Sequence, residues 1–271
     1  MRALSALLPH EDIVYFGDTA RVPYGTRSRD TIEKYLRQDI AFLRTFDIGL
    51  LVVACGTAST ACLPELNAEY PFPLLGVVEP AAARAAAVTR NKKVGLIATS
   101  ATVASGAYEA AVLALDPAVT VIARACPLLV PLVENGRGWK GDPVAEIVAR
   151  EYLQPLIAAG VDTLILGCTH YPLLFGLIGE IMGPDVTLVD SGEAVARAAA
   201  EIVNAERGTR NAESAHLNAE RGTQNVELAP TAHSRRYFVS DCPDGFAKNA
   251  ELFLGRPLDG PMQKVDIEAY A

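Results

Sequence analysis

The chain has 271 residues, 50% of them hydrophobic and 21% charged, enough to bury a sizeable core in one large or two ordinary domains. A formal net charge of −8 excludes a basic face for nucleic acid or an anionic membrane. No apolar run approaches the roughly 18 residues of a membrane span, and MRALSALLPHED is too short in apolar residues for a secretory signal, so the expected location is the cytoplasm.

In chain order, IVYFGD (13–18) is the first predicted strand, and the loop Asp18-Thr-Ala-Arg-Val-Pro-Tyr-Gly25 follows it. Asp30-Thr-Ile-Glu33 resembles a capping box, and Ile32, Leu36, Ile40 and Leu43 share one face of the packing helix it would open. GLLVVA (49–54) runs into Cys55-Gly-Thr-Ala-Ser59. PLLGVV (73–78), KVGLIA (93–98) and VTVIA (119–123) are further strands, and the third predicted helix pattern, near 102–114, begins in Thr99-Ser-Ala-Thr102. TLILG (163–167) runs into Gly167-Cys-Thr-His170, and VTLVD (186–190) and YFVSD (237–241) complete the set. Helices are predicted near 80–90, 143–158, 172–182, 193–205 and 245–254. Near-continuous apolar strands alternating with helices imply parallel α/β sheets covered on both faces. One segment departs from this pattern. NAERGTRNAESAHL (204–217) is followed by NAERGTQNVELAPT (218–231), a tandem repeat with too few copies for a solenoid, predicted as a solvated helical extension or mobile insertion.

The five cysteines, Cys55, Cys62, Cys126, Cys168 and Cys242, form no C-x-x-C pair, which argues against a disulfide framework and a zinc site. Cys62, Cys126 and Cys242 are expected to be small buried hydrophobes. Cys55 and Cys168 differ, because each ends an apolar strand and precedes small and hydroxylated residues. In an open parallel sheet the loops at the carboxyl ends of the strands line the binding crevice, where helix N-termini present free N–H groups. Donors of this kind suit a small carboxylate. A cysteine at a helix N-terminus is expected to have a lowered pKa and to act as nucleophile or base. Two such cysteines facing each other across a pocket could remove a proton from one face of a carbon and return one to the other, inverting a stereocentre without a cofactor, provided the carboxylate donors stabilise the carbanion-like transition state.

FGDTARVPYG, VVACGTAS, GCTHYPLL, VPLVENG around Glu134 and YFVSD together resemble the glutamate racemases, of the cofactor-independent aspartate/glutamate racemase superfamily. The resemblance covers most of the chain apart from the repeat. It implies two pseudo-symmetric parallel-sheet α/β domains with the active site in the cleft between them. The first would be discontinuous, 1–79 and 189–271, carrying the 204–231 repeat, and the second would be 80–188. By the same resemblance Cys55 would act on D-glutamate and Cys168 on L-glutamate, with His170 assisting Cys168 and with Asp18 and Glu134 supporting the site. Tyr24, Gly25, Gly56, Thr57, Thr102, Thr169 and His170 would line the substrate. No cofactor or metal is implied, the partner would be glutamate, and the product D-glutamate would supply peptidoglycan synthesis. Relatives of this type pair their subunits in different ways, a homodimer among them. The residues alone leave open a core histidine at His170, a turn or cap residue at Asp18, a turn-shaping role for Tyr24 and a solvated carboxylate at Glu134 beside Asn135-Gly136.

Two departures from the family pattern stand out. The first cysteine motif usually reads Cys-Asn-Thr, and here it is Cys55-Gly56-Thr57. The family also begins with a strand and an Asp-Ser-Gly-x-Gly-Gly loop, whereas this sequence starts downstream of both, so a longer polypeptide is expected, and loss of that strand would leave unpaired sheet edges. The alternatives are a racemase for aspartate or a hydantoin, a decarboxylase, which would need only one cysteine, and a truncated, non-catalytic binding homologue.

Overall fold

The computed structural model describes residues 1–137, 141–221 and 233–270. In chain order the elements are α1 (Arg2–Leu7), β1 (Ile13–Gly17), α2 (Arg29–Leu43), β2 (Leu51–Val53), α3 (Gly56–Leu66), β3 (Leu74–Gly76), α4 (Val78–Val88), β4 (Lys93–Ala98), α5 (Ser100–Ser105), α6 (Ala107–Leu115) and β5 (Thr120–Ala125). They continue through α7 (Leu129–Glu134), α8 (Pro143–Ala159), β6 (Thr163–Leu166), α9 (Phe175–Met182), β7 (Thr187–Asp190), α10 (Ser191–Arg221), β8 (Arg235–Val239), α11 (Pro243–Leu254) and β9 (Met262–Lys264). Single 3-10 turns stand at Tyr24–Thr26, Tyr171–Leu174 and Ile267–Ala269.

Every pairing among the described strands is parallel, as the apolar runs predict. One four-stranded sheet has the order β5-β4-β6-β7, with Ile97 opposite Leu166 and Leu166 opposite Asp190. Its two faces are filled by separate apolar clusters, one including Leu153, Leu156, Leu164 and Tyr171 and the other Ala81, Ala85, Leu96 and Tyr108. The remaining strands form β1-β8-β9 and β2-β3, and no pairing joins these two sheets among the described strands. Ile13 lies opposite Arg235, so the two ends of the chain meet in one sheet. Ile32, Leu36, Ile40, Leu51, Val53 and Leu66 close a core between α2, β2 and α3.

Several sequence expectations are corrected. The cap of α2 is Ser28, whose hydroxyl accepts from the Thr31 N–H, and Asp30 lies in the first turn, where its charge suits the helix dipole. The helix expected over 102–114 is broken by Gly106, in the left-handed region at φ 64°, into α5 and α6. Cys126 is buried, but Cys242 is exposed, because it occupies the turn that caps α11 and has φ 46°. The side chain of Cys62 lies outside the described residues. The first repeat copy continues α10 as helix, while residues 222–231 of the repeat lie outside the described residues.

Candidate active site

Cys55 is the N-cap of α3, so its thiol sits where the free N–H groups of the helix converge. Burial pushes the thiol pKa up, the Ala58 and Thr57 N–H groups and the Thr57 hydroxyl pull it down, and the charge of Asp39 pushes it up again, with a net rise. The lowered value expected at a helix N-terminus is therefore reversed, because desolvation outweighs the donors.

Cys168 lies just beyond the end of β6, after Gly167. A Cβ on Gly167 would meet Leu96 Cδ1 at 2.9 Å and the Ile97 carbonyl oxygen at 3.0 Å, so glycine is needed for the turn to pass so close to β4. Burial pushes Cys168 up to about 12, against the His170 N–H and the Thr169 hydroxyl, and the charges of Cys55 and Glu134 add to the rise. The Sγ of Cys168 lies 3.8 Å from His170 Nδ1, which is also 3.3 Å from Thr169 Oγ1. On the other side of the ring His170 Nε2 lies 3.1 Å from Glu134 Oε1. A carboxylate can only accept there, so Nε2 carries the proton and Nδ1 presents its lone pair towards the thiol. Burial lowers the His170 pKa while Glu134 opposes it, which keeps the imidazole neutral near pH 7. Cys168, His170 and Glu134 thus form a thiol–base–orienter series of the kind that activates a weak acid.

The two cysteine loops touch. A Cβ on Gly56 would stand only 2.6 Å from the Gly167 carbonyl oxygen and 3.7 Å from Thr102 Oγ1. The Thr57 hydroxyl lies 3.1 Å from that of Thr99 and 3.4 Å from that of Thr102, and Thr99 donates to Thr102 at 3.0 Å. A Cβ on Gly25 would contact Thr99 at 3.2 Å, which brings the loop after β1 to the same place. Three hydroxyls and the first turns of α3 and α5 therefore converge beside the cysteines, a donor set suited to a carboxylate.

Asp18, 7% exposed, follows β1 and accepts from Arg21 Nε at 2.7 Å, from Ser240 Oγ at 2.9 Å and from the Tyr24 hydroxyl. The Tyr24 hydroxyl also lies 3.3 Å from Asp39 Oδ2, while Arg21 donates to Asp39 Oδ1 at 2.7 Å and to Gln38 Oε1 at 2.5 Å. Asp18 and Tyr24 are therefore parts of a buried network behind the Cys55 loop. The sequence pattern did not single out Asp39, Arg21, Gln38 or Ser240. A signal was present, since Asp39 follows Leu36 by three positions and Ile32 by seven and so falls on the apolar face of α2.

The Asp/Glu/hydantoin racemase family matches residues 1–199. A glutamate racemase of Geobacter metallireducens is 47% identical over 271 residues, covering 99% of this chain and 92% of the relative. The chain belongs to this family. Among solved structures, the racemase family includes a glutamate racemase isoform of Bacillus anthracis, 34% identical with a TM-score of 0.81, covering 97% of this chain and 91% of that one. A Francisella tularensis glutamate racemase in complex with D-glutamate is 30% identical with a TM-score of 0.80, covering 99% of this chain and 93% of that one. These racemases share the parallel α/β architecture, and membership makes the chain an isomerase of the amino-acid racemase type. No helix among the described residues is long and apolar enough to cross a membrane.

Proposed function

We propose that this racemase interconverts L- and D-glutamate without a cofactor, using Cys55 and Cys168 as paired acid and base. The observation that carries this reading is the close approach of the two cysteine loops at Gly56 and Gly167, with the Thr57, Thr99 and Thr102 hydroxyls beside them. In the L-to-D direction, the Cys168 thiolate removes the α-proton and becomes the thiol, while the electron pair stays on the α-carbon. Cys55 then gives its thiol proton to the opposite face and is left as the thiolate. His170 takes up the Cys168 proton through Nδ1 to generate the thiolate, and Glu134 holds the ring in the tautomer that can do so. In the D-to-L direction the roles exchange.

The substrate carboxylates would lie against the N–H groups and hydroxyls of Gly56, Thr57, Thr102 and Thr169, with Tyr24 and Gly25 closing the first loop. Asp18 keeps Tyr24 and Arg21 in place. The reading divides the chain into a discontinuous unit, 1–79 and 189–271, and a second unit, 80–188, and its cellular role is the cytoplasmic supply of D-glutamate for peptidoglycan. Support for glutamate over other acids comes from the relatives, named glutamate racemases at 47% and 44% identity. Circular dichroism of L-glutamate, D-glutamate and L-aspartate incubated with the protein tests it. Both glutamate signals should decay to zero while aspartate persists, and decay of aspartate alone would overturn the choice of substrate.

A further inference from the structure

The loop that carries Asp18, Tyr24 and Gly25 to the site is held from the far end of the chain. Strands β1 and β8 are parallel neighbours with Gly17 opposite Val239, so Asp18 and Ser240 emerge side by side from their carboxyl ends. The Ser240 N–H donates to the Gly17 carbonyl at 3.0 Å and carries the pairing one residue past the strands. The Ser240 side chain then turns to the loop. It is 6% exposed, its hydroxyl donates to Asp18 Oδ1 at 2.9 Å, and the same oxygen accepts from the Ala20 N–H at 2.8 Å. A hydroxyl has one proton to give and lone pairs to accept with, so both bonds form at once.

A second pair of bonds lies beside the first. The Thr19 hydroxyl donates to the Asp241 carbonyl at 2.6 Å and accepts from the Asp241 N–H at 2.9 Å. Asp18, Thr19 and Ala20 are thus tied to Ser240 and Asp241 across 220 to 222 positions of sequence. The anchor is fixed in turn, because Lys264 Nζ donates to Asp241 Oδ1 at 2.8 Å and the Val265 N–H donates to the Val239 carbonyl at 2.8 Å. With Oδ1 of Asp18 held by Ser240, Oδ2 is left to receive Arg21 Nε and the Tyr24 hydroxyl. Fixing the rotation of that carboxylate fixes where Tyr24 stands. Gly25, the next residue, packs on Thr99, whose hydroxyl lies 3.1 Å from that of Thr57.

We propose that Ser240 is a positioning residue of this racemase: by holding Asp18 and Ala20 to the end of β8, it keeps Tyr24 and Gly25 docked against the hydroxyl cluster that receives the substrate. This rests on the glutamate reading above. The influence of Ser240 on the reaction runs through Asp18 to Tyr24, so it sets the share of time the loop is ready for substrate and leaves proton transfer to the cysteines.

The test compares the full chain with Ser240→Ala, in which the serine hydroxyl alone is removed, by two readouts. Backbone hydrogen–deuterium exchange of peptides covering 18–25, read by mass spectrometry, needs no turnover. It should quicken roughly tenfold in the variant, the effect on a local opening equilibrium of losing hydrogen bonds of ordinary net worth, while peptides covering β1 and β8 keep the wild-type rate. Unchanged exchange over 18–25 would overturn the proposal, and so would equal acceleration of the strand peptides, which marks general loosening. The second readout is steady-state racemisation. KM for glutamate should rise at least about threefold with kcat changed by less than about twofold, because a loop that is ready for a smaller share of the time weakens binding in proportion. A fall in kcat at constant KM, or no change in either, would overturn the positioning role. Thr19→Val removes the neighbouring pair of bonds and keeps the side-chain shape, so it should give the same pattern and carries both readouts if Ser240→Ala fails to fold. A wild type that leaves glutamate unchanged sinks the substrate reading alone, and the exchange rates then decide on Ser240.

Discussion

Replacing Gly56 by alanine tests how closely the two cysteine loops must approach. The added Cβ would stand 2.6 Å from the Gly167 carbonyl oxygen, where an ordinary contact begins near 3.4 Å and real Cβ atoms essentially never come under 3.0 Å. The obstacle is backbone, held by the Gly167 N–H bonded to the Ile97 carbonyl at 2.8 Å, so it cannot swing aside as a side chain would. The loops must therefore separate by roughly 0.4–0.8 Å. Misplacement of about 1 Å at a reacting centre costs about 10²-fold in rate, so the expected loss in kcat/KM is about 6- to 40-fold, or about 1.1–2.2 kcal/mol in transition-state stabilisation. Because no core contact is lost, the thermal midpoint should fall by less than about 4 °C, the change for about 1 kcal/mol in a domain of this size. The assay is racemisation of L-glutamate followed by circular dichroism, beside a thermal melt. Wild-type kcat/KM in Gly56→Ala would refute the argument that glycine permits the approach.

The Glu134→Gln substitution removes the carboxylate that fixes the His170 tautomer and raises its pKa. Activity should fall at least about tenfold, less than the roughly 10²–10⁴-fold of a lost acid or base because Glu134 acts through His170. His170 must be neutral to accept a proton, so its protonation produces the acid limb, and that limb should move to lower pH in the variant. A shift to higher pH would contradict the assignment. Asp162 accepts from Thr89 Oγ1 at 2.8 Å, from the Arg90 and Asn91 N–H groups at 2.7 Å and from Thr163 Oγ1 at 2.9 Å, next to the start of β6. Replacing it by alanine should destabilise the fold by about 2–3 kcal/mol, the scale of hydrogen bonds to a charged group plus stranded donors, read as a drop in urea midpoint at constant slope. Burial opposes its ionisation, but these donors hold its pKa below the ordinary aspartate value, so its contribution is complete above that value and is lost as pH falls through the folded one. Asp39 has the opposite sign. Its pKa is raised by burial and by Asp18, so it costs stability as pH climbs from the ordinary aspartate value to about 7, and Asp39→Asn should flatten that decline in chemical denaturation.

Much of the fold is legible because its strands are short apolar runs ending in Gly, Cys or Thr, a pattern set by burial on both faces. What the pattern misses has physical causes. Helix α3 begins at Gly56 and contains Pro64, both poor helix formers, so its formation depends on packing against α2 and β2. Strand β9 is a three-residue edge with an exposed pattern and leaves no periodic signal. Gly106 ends a helix that alanine-rich propensity alone would have continued. In the site, Cys55, Thr57, Cys168 and His170 announce themselves by their place after strands, while Glu134, singled out by the resemblance alone, has a physical partner only once the fold brings it to His170 across 36 residues. Asp39 is visible as a charge on an apolar helix face, but its partners Arg21 and Tyr24 come from another element, so its meaning depends on tertiary structure.

Exchange of the α-proton in D₂O, followed by NMR with L- and D-glutamate supplied separately, tests the two-base reading most directly. The wild type should exchange both enantiomers with inversion, and Cys55→Ala and Cys168→Ala should each abolish inversion. Inversion surviving in either single variant would contradict a mechanism in which one thiol takes the proton and the other returns it.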